Sequence, residues 1–468
     1  MAVTREGTPP ETLELRLTRR PLLLLLFALP LVTSLFGFGM QQTGAPIWPT
    51  PPTVAPERGR IVTGDGTVFA EGSVDARRWP QGTLAAQTIG FSGRVQPDGR
   101  YGLEGLEYAL DAHLQTGADA VVTLDPVLQS ASERHLAAAI EEHEAENGSV
   151  VMLEVGSGRI LAAASHPTFD PNDRSGADRL AMTNQAFLNQ YEPGSVMKPF
   201  VIASLLQAGR LDATEPIDAP PTLRVGAKTF RDVAVHDPVL DASDVLRYSS
   251  NTAMLRLTER FAPHELHAWY RHFGFDASVP MRSAFTRPGS IVDPDAWVPQ
   301  DQASITIGQA MTTTPLQLAA AYSVFANDGV YVAPRLVEAE EPLDRRRVLD
   351  ADVSRTVRDM LIHTVEGSGL NASRIPGVRT AGKTGTADIW SSEHGTYPDG
   401  WYSLTFAGFF PADAPEVVMV VMLQKPRVNT SSTYVAAPLF RAIGSEVVAH
   451  WGVAPEPDPL IAGATDLP

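Results

Sequence analysis

Residues 21–40 form an uninterrupted apolar stretch of twenty residues without a charged side chain. A helix of this length crosses about 30 Å of hydrocarbon. Arg16, Arg19 and Arg20 precede it, so the positive-inside rule predicts a cytoplasmic tail at 1–20 and an extracytoplasmic remainder. A cleaved signal peptide is the alternative, but no Ala-x-Ala follows Met40 and the stretch is longer than a typical signal-peptide core. We therefore expect a retained, single-pass transmembrane anchor.

Beyond the apolar stretch, proline and turn residues interrupt the pattern. Residues 41–57 contain five prolines and are typical of an extended stalk. From 58 to 120, short apolar stretches alternate with turn signals such as Gly64-Asp65-Gly66, which predicts a small β-rich pedestal. At the other end, residues 452–468 are rich in proline, alanine and aspartate, and we expect a disordered tail there.

Residues 121–451 show the periodicity of a larger mixed domain. Two apolar runs joined at Gly156-Ser157-Gly158 predict a hairpin over 149–161. Helical spacing predicts helices over 195–207, 315–325 and 435–451. Residues 401–410 and 417–423 are rich in β-branched and aromatic side chains and predict strands. This order of strands, helices, strands and helix favours an α+β fold with segregated elements.

The composition of the chain excludes several classes of function. The net charge of −17 argues against a general nucleic-acid binder, and the absence of cysteine excludes thiolate metal sites, cysteine nucleophiles and disulfides. Of the 37 basic residues only four are lysines, namely Lys198, Lys228, Lys383 and Lys425, so the other 33 are arginines. A lysine in such a chain is informative, because only lysine can act as a base once its pKa is lowered.

Ser195 and Lys198 form the only Ser-x-x-Lys of the chain, at the start of a predicted helix. Their spacing puts both side chains on one face of that helix. A serine hydroxyl needs an adjacent base to become a nucleophile, and a lysine with a lowered pKa can serve. The alternative is a helix-capping serine followed by a surface lysine.

Two further motifs contain candidate site residues. Ser249-Ser250-Asn251 lies between two amphipathic stretches, where a hydroxyl and a carboxamide can relay a proton and hold a substrate amide; an ordinary polar turn is the alternative. Lys383-Thr384-Gly385-Thr386 is typical of a strand whose glycine lets a ligand backbone lie close, with the ammonium and hydroxyls holding a carboxylate. The backbone N–H groups of Ser195 and Thr386 are candidates for an oxyanion hole.

Two other patterns, one typical of a nucleotide site and one typical of a metal site, compete with this interpretation. Residues 377–384 match the Walker A pattern, but Ile375-Pro376 precedes them in place of an apolar strand and no helical periodicity follows. His264 and His267 are three residues apart, whereas the zinc-protease helix needs four, so solvent-facing helix positions are favoured. Neither a nucleotide site nor a metal site is predicted.

Ser-x-x-Lys, Ser-x-Asn and Lys-Thr-Gly, in this order, resemble the active-site set of penicillin-binding proteins and serine β-lactamases. Residues 191–199 and 381–387 are similar to the nucleophile and Lys-Thr-Gly-Thr-Ala blocks of class B penicillin-binding proteins, and the resemblance extends over about residues 95–450. It implies a penicillin-binding transpeptidase-like α+β domain, with an antiparallel sheet flanked by helices. Residues 58–66 keep only part of the family's usual opening, and the pedestal is short.

The resemblance also implies a reaction, that of a serine-type D-Ala-D-Ala transpeptidase of the bacterial cytoplasmic membrane. Ser195 would attack the penultimate D-alanyl carbonyl of a peptidoglycan stem peptide, with Lys198 as general base and Ser249 and Asn251 moving the proton and orienting the peptide. The residues implied in binding the substrate are Lys383, Thr384, Gly385 and Thr386. An amine of a neighbouring stem peptide then forms the cross-link, and a β-lactam acylates the same serine.

No cofactor is implied, and a membrane glycan polymerase is the implied partner. Two alternatives share the motifs. One is a D,D-carboxypeptidase or β-lactamase, which deacylates with water. The other is a non-catalytic β-lactam-binding scaffold.

Overall fold

The computed structural model describes residues 57–367 and 370–452. The predicted cytoplasmic tail, the anchor at 21–40, nearly all of the stalk and nearly all of the tail at 452–468 lie outside these residues. Within the described part of the chain, no helix combines the length and the apolar character needed to cross a membrane.

The elements are numbered here in chain order. The strands are β1 Ile61–Thr63, β2 Val68–Ala70, β3 Ala120–Val122, β4 Asn147–Glu154, β5 Ile160–His166, β6 Ile217–Asp218, β7 Thr222–Val225, β8 Lys228–Arg231, β9 Val239–Leu240, β10 Ser290–Ile291, β11 Met311–Thr312, β12 Val330–Val332, β13 Arg345–Arg347, β14 Ala381–Asp388, β15 Tyr402–Phe410 and β16 Val417–Gln424. The α-helices are α1 Ala86–Ile89, α2 Gly105–Ala109, α3 Asp111–Leu114, α4 Pro126–His143, α5 Arg179–Met182, α6 Gln185–Leu188, α7 Lys198–Gln207, α8 Ala242–Arg247, α9 Asn251–Thr258, α10 Pro263–His272, α11 Pro299–Thr306, α12 Pro315–Ala326, α13 Ala351–Gly367 and α14 Ala436–Trp451. Short 3₁₀ helices cover Val74–Ala76, Gly194–Met197, Pro294–Ala296 and Leu370–Ser373.

A five-stranded antiparallel sheet in the order β14-β15-β16-β4-β5 forms the centre of the fold. Helices cover both of its faces, so β16 reads as a continuous apolar run rather than an alternating one. Val417, Met419 and Val421 pack on the side of α4 and α14, while Val418 and Val420 pack on the side of α12. The predicted α+β class, with an antiparallel sheet flanked by helices, is confirmed.

The predicted elements of the larger domain are present with small shifts at their ends. The hairpin over 149–161 is β4 and β5, and the two predicted strands are β15 and β16. The helices predicted over 315–325 and 435–451 are α12 and α14. The one over 195–207 begins as a 3₁₀ turn, Gly194–Met197, and continues as α7.

Residues 58–120 are a mixed segment, so the prediction of a β-rich module is wrong in this respect. Three-residue strands β1, β2 and β3 form one small sheet, and three short helices lie between β2 and β3. Helices α1 to α3 are four or five residues long, too short to show helical periodicity, and buried residues such as Ile89, Leu106 and Leu114 hold them in place. The contacts group these residues with the rest of the described chain in one compact unit. The boundary at 120 stays a prediction.

A buried charge cluster stabilises this segment. Arg58 lies 2.8 Å from Glu107 Oε2 and 2.9 Å from Asp111 Oδ1, and the three side chains are at most 2% exposed. Gly59 follows, and a Cβ there would lie 1.8 Å from the carbonyl oxygen of Ala118. The Arg58-Gly59 pair is therefore a packing requirement of the segment.

Arg58→Met should lower the free energy of unfolding by about 3 kcal/mol, because it leaves the buried carboxylate of Asp111 without its cationic partner, whereas Glu107 keeps Arg77 at 2.7 Å. Urea titration measures the change. Arg60→Met is the matched control: Arg60 pairs with Asp119 at the surface, 52% exposed, and its loss should change little. Equal effects of the two substitutions would contradict a special role for the buried cluster.

Candidate active site

Ser195 lies in the 3₁₀ turn that leads into α7, and this turn packs directly on the edge strand β14. Gly194 has a φ of +66°, its N–H donates to the Gly308 carbonyl at 2.9 Å, and a Cβ on it would lie 2.7 Å from the Thr386 carbonyl oxygen. A Cβ on Gly385 would lie 2.4 Å from the Pro193 carbonyl oxygen. On that side Gly385 accommodates the serine segment, whereas the sequence interpretation reserved the space for a ligand.

Lys198 is fully buried one turn after Ser195. Its Nζ donates to the Ser249 carbonyl at 2.6 Å and to Asn251 Oδ1 at 2.8 Å, and lies 3.2 Å from Ser249 Oγ. Burial and the nearby Lys383 hold the pKa of Lys198 well below its usual value, against a smaller opposing effect of Asp232. The environment therefore favours the neutral amine, the form that accepts a proton.

Lys383 approaches the same serine from β14. Its Nζ donates to Ser249 Oγ at 2.9 Å and to the Thr384 carbonyl at 3.2 Å. Burial lowers the pKa of Lys383 to about 7. The hydrogen-bond partners of Lys198 and Lys383 among the described residues are carbonyl, amide and hydroxyl oxygens, so no acidic side chain competes with an anion that enters the site beside Lys383.

Ser249 occupies a connection between α8 and α9 with an unusual backbone. Its φ is +56°, a left-handed conformation that is uncommon for serine and that often marks functional sites. Ser250 follows as the N-cap of α9 and accepts a hydrogen bond from the Ala253 N–H at 3.1 Å. The predicted tight connection between two helices is confirmed, and it presents both Ser249 and Asn251 to Lys198.

Asp232, just beyond β8, holds this connection and was missed by the sequence analysis. Its buried carboxylate accepts hydrogen bonds from Ser250 Oγ at 2.7 Å, Thr252 Oγ1 at 2.9 Å and His236 Nε2 at 2.8 Å, and also from the N–H groups of Asn251 and Thr252. These bonds outweigh burial and lower the pKa of Asp232. No local motif marks this residue, because its partners in the Ser249 connection lie 18 to 20 positions further along the chain.

The structure brings most of the predicted residues together, with two exceptions. Ser195 makes no side-chain hydrogen bond to another described residue, although it lies between Lys198 and β14. Thr384 and Thr386 both point to the face of β14 opposite Lys383, since successive side chains of a strand alternate. Thr386 is exposed at the rim, where its Oγ1 lies 2.9 Å from Ser432 Oγ. Ser432 is a second residue that no motif indicated.

The weighed alternatives find little support in the geometry. Lys383 lies inside β14, and the segment after this strand is a loop, whereas a phosphate-binding loop leads into a helix. His264 and His267 on α10 pair with Asp295 and Asp276. Among the described residues, no group of three or more histidine, aspartate or glutamate side chains is placed to hold a metal ion.

Comparison with known proteins identifies the family. Residues 148–445 match the penicillin binding protein transpeptidase domain. The chain belongs to this family. It is 32% identical over 428 residues to the probable peptidoglycan D,D-transpeptidase PenA of Neisseria gonorrhoeae, covering 84% of this chain and 71% of the relative. It is 29% identical over 416 residues to the peptidoglycan D,D-transpeptidase FtsI of Escherichia coli, covering 83% and 69%.

Solved structures agree with the family assignment. The crystal structure of penicillin-binding protein 3 of Mycobacterium tuberculosis superimposes with a TM-score of 0.78 at 31% identity, covering 86% of this chain and 98% of that one. The same protein has been crystallised with aztreonam and with ampicillin. The predicted membership of the class B penicillin-binding proteins is confirmed.

Proposed function

We propose that this chain is a serine D,D-transpeptidase that cross-links peptidoglycan stem peptides and is acylated by β-lactams. The observation that carries the proposal is the buried, unpaired amine of Lys198, one turn from Ser195 and hydrogen-bonded to Ser249 and Asn251. The family match and the names of the relatives support the reaction class.

Acylation follows from these positions. Neutral Lys198 takes the proton of Ser195 as Oγ attacks the penultimate D-alanyl carbonyl, forming a C–O bond. Ser249 Oγ, within hydrogen-bonding distance of both amines, passes the proton on to the leaving nitrogen as the C–N bond breaks and the terminal D-alanine departs. The amide of Asn251 fixes Lys198 Nζ and orients the peptide.

The remaining motif residues bind the substrate. A terminal carboxylate beside Lys383 favours the ammonium form of that side chain, whose pKa lies near 7 in its absence. Thr386 contributes a hydroxyl at the rim, and the N–H groups of Ser195 and Thr386 form the oxyanion hole. Gly194 and Gly385 pack closely against neighbouring backbone, and this packing fixes the distance between the turn that carries Ser195 and strand β14. Thr384 would contribute to substrate binding through its backbone N–H and carbonyl groups.

The cellular context of the reaction belongs to the same proposal. A membrane anchor at residues 21–40 would place the catalytic domain on the extracytoplasmic side, where peptidoglycan is assembled. A glycan polymerase of the membrane would supply the strands, and residues 58–120 would form its contact surface.

Benzylpenicillin should form a stable covalent adduct on Ser195 of the full-length chain. The β-lactam ring opens as Oγ attacks its carbonyl, so the mass of the protein rises by the mass of the whole drug. Intact-mass spectrometry with peptide mapping measures this. A folded protein without an adduct would contradict the proposal, and rapid consumption of the drug without a lasting adduct would favour a β-lactamase.

A further inference from the structure

Glu192 is a half-buried carboxylate three residues before Ser195 that the acylation chemistry does not use. Its Oε1 accepts hydrogen bonds from the Ala310 N–H at 3.2 Å and from the Tyr397 hydroxyl at 3.1 Å. No described lysine, arginine or histidine forms an ion pair with it. Burial raises the pKa of Glu192 and outweighs the opposing hydrogen bonds from Tyr397 and Ala310; the nearby Asp388 also raises this pKa, and Lys228 lowers it. The site around this carboxylate therefore favours the arrival of a cation.

An aromatic pair lies beside this carboxylate on the loop between β14 and β15. Trp390 and Tyr397 pack edge to face, with ring centroids 5.1 Å apart, and they are 52% and 43% exposed. Backbone pairing between Ser391 and Thr396 closes the loop, and the Tyr397–Glu192 hydrogen bond ties it to the segment that presents Ser195. Large exposed aromatic rings beside a carboxylate form a surface that attracts organic cations.

We propose that Glu192, Trp390 and Tyr397 form the recognition site for the ammonium group of the acceptor strand. This inference rests on the proposed function and concerns its second half-reaction. Acylation by the donor requires recognition of an anion, which Lys383 provides beside Ser249. Aminolysis requires a primary amine, which in neutral water is an ammonium ion.

In the second half-reaction, aminolysis of the acyl-enzyme, the bound ammonium loses two protons. The bound ammonium loses one proton to water, and its nitrogen attacks the acyl carbonyl to form the C–N bond. As the ester C–O bond to Ser195 breaks, a second proton leaves the nitrogen and reaches Ser195 Oγ through Lys198. The products are the cross-linking amide and the free serine.

Glu192→Gln in the full-length chain tests the proposal, because glutamine keeps an oxygen for Ala310 and Tyr397 but removes the charge. The donor is an N-acyl-D-alanyl thioester without an ammonium group. The acceptors, compared at neutral pH, are D-lysine, which is cationic, and hydroxylamine, which is uncharged. We expect kcat/KM for D-lysine to fall about tenfold. The rate with hydroxylamine and the acylation by benzylpenicillin should stay within about twofold, which excludes misfolding.

Two further variants sharpen the test. Trp390→Leu should lower the D-lysine rate several-fold in the same selective way. Glu393→Gln, the same chemical change at an exposed position of the same loop, should leave all rates unchanged. An equal loss with both acceptors, or no loss with either, would overturn the assignment of Glu192. Failure of the unsubstituted chain to be acylated at all would instead contradict the proposed function.

Discussion

Lys198→Arg should slow the acylation of Ser195 by benzylpenicillin about 10³-fold or more, close to the level of Ser195→Ala. The arginine can still donate hydrogen bonds toward Ser249 and Asn251. Its guanidinium stays protonated in proteins, however, and so cannot accept the serine proton. Stopped-flow mixing with benzylpenicillin, with the adduct followed by mass, measures the rate.

The size of the arginine side chain requires a control, because Lys198 is fully buried. Lys198→Met fills a similar volume without a charge and should be equally inactive while it keeps the thermal midpoint of the parent protein. Lys425→Arg is the matched exchange at the surface, where the lysine pairs with Glu146 at 2.7 Å, and it should be silent. A Lys198→Arg protein acylated at the parental rate would refute lysine as the base.

Lys228 is not a suitable silent control, although no active-site motif contains it. Its Nζ lies 3.2 Å from Gln309 Oε1 and 3.3 Å from Ser304 Oγ, next to the segment that carries Gly308. Because Gly308 packs on Gly194, we expect a substitution of Lys228 to affect the turn that carries Ser195. Scarcity of lysine singled out Lys198 and Lys383, whose amines both lie within 3.2 Å of Ser249 Oγ, but it did not separate Lys228, a neighbour of this site, from the surface residue Lys425.

Local patterns were sufficient to predict the elements that are long or regular. Alternating and continuous apolar runs gave the strands β15 and β16 because both are buried over their full length. Helical spacing gave α12, which is buried throughout, and α14, which buries one face. The three lysine and serine motifs were recognisable because the residues of each motif lie within a few positions of one another in the sequence.

Features that depend on contacts between distant segments were not predictable. Pairing of β16 with β4 joins residues more than 260 positions apart, and no local signal specifies it. Gly385 was recognised as a position of close approach, but only the fold shows that the approaching group is the Pro193 carbonyl. Short helices such as α2 depend on tertiary burial of Leu106, so their sequence resembled a loop.

Asp232 is the clearest example of a residue whose role depends on distant segments of the chain. Its replacement has the second largest expected effect on the acylation rate. Asp232→Ala removes an acceptor that serves Ser250, Thr252 and His236 as well as two backbone N–H groups. Ser249 then loses the support that holds its left-handed backbone, and a displacement of about 1 Å at such a site costs about 10²-fold in rate. We expect the acylation rate with benzylpenicillin to fall by about this factor.

Asp232→Asn separates positioning from charge. Asparagine retains one oxygen for the N–H groups of Asn251 and Thr252, but it offers a donor to His236 and to the hydroxyls of Ser250 and Thr252. The acylation rate of Asp232→Asn should therefore lie between those of the parent protein and Asp232→Ala. The exposed Asp237→Asn is the matched control and should be silent. Since Asp232 also opposes the lowering of the Lys198 pKa, its loss lets that pKa fall further. The acid limb of the pH–rate profile should therefore move to lower pH in Asp232→Ala, and a rate loss without this shift would leave positioning of Ser249 as the whole role of the carboxylate.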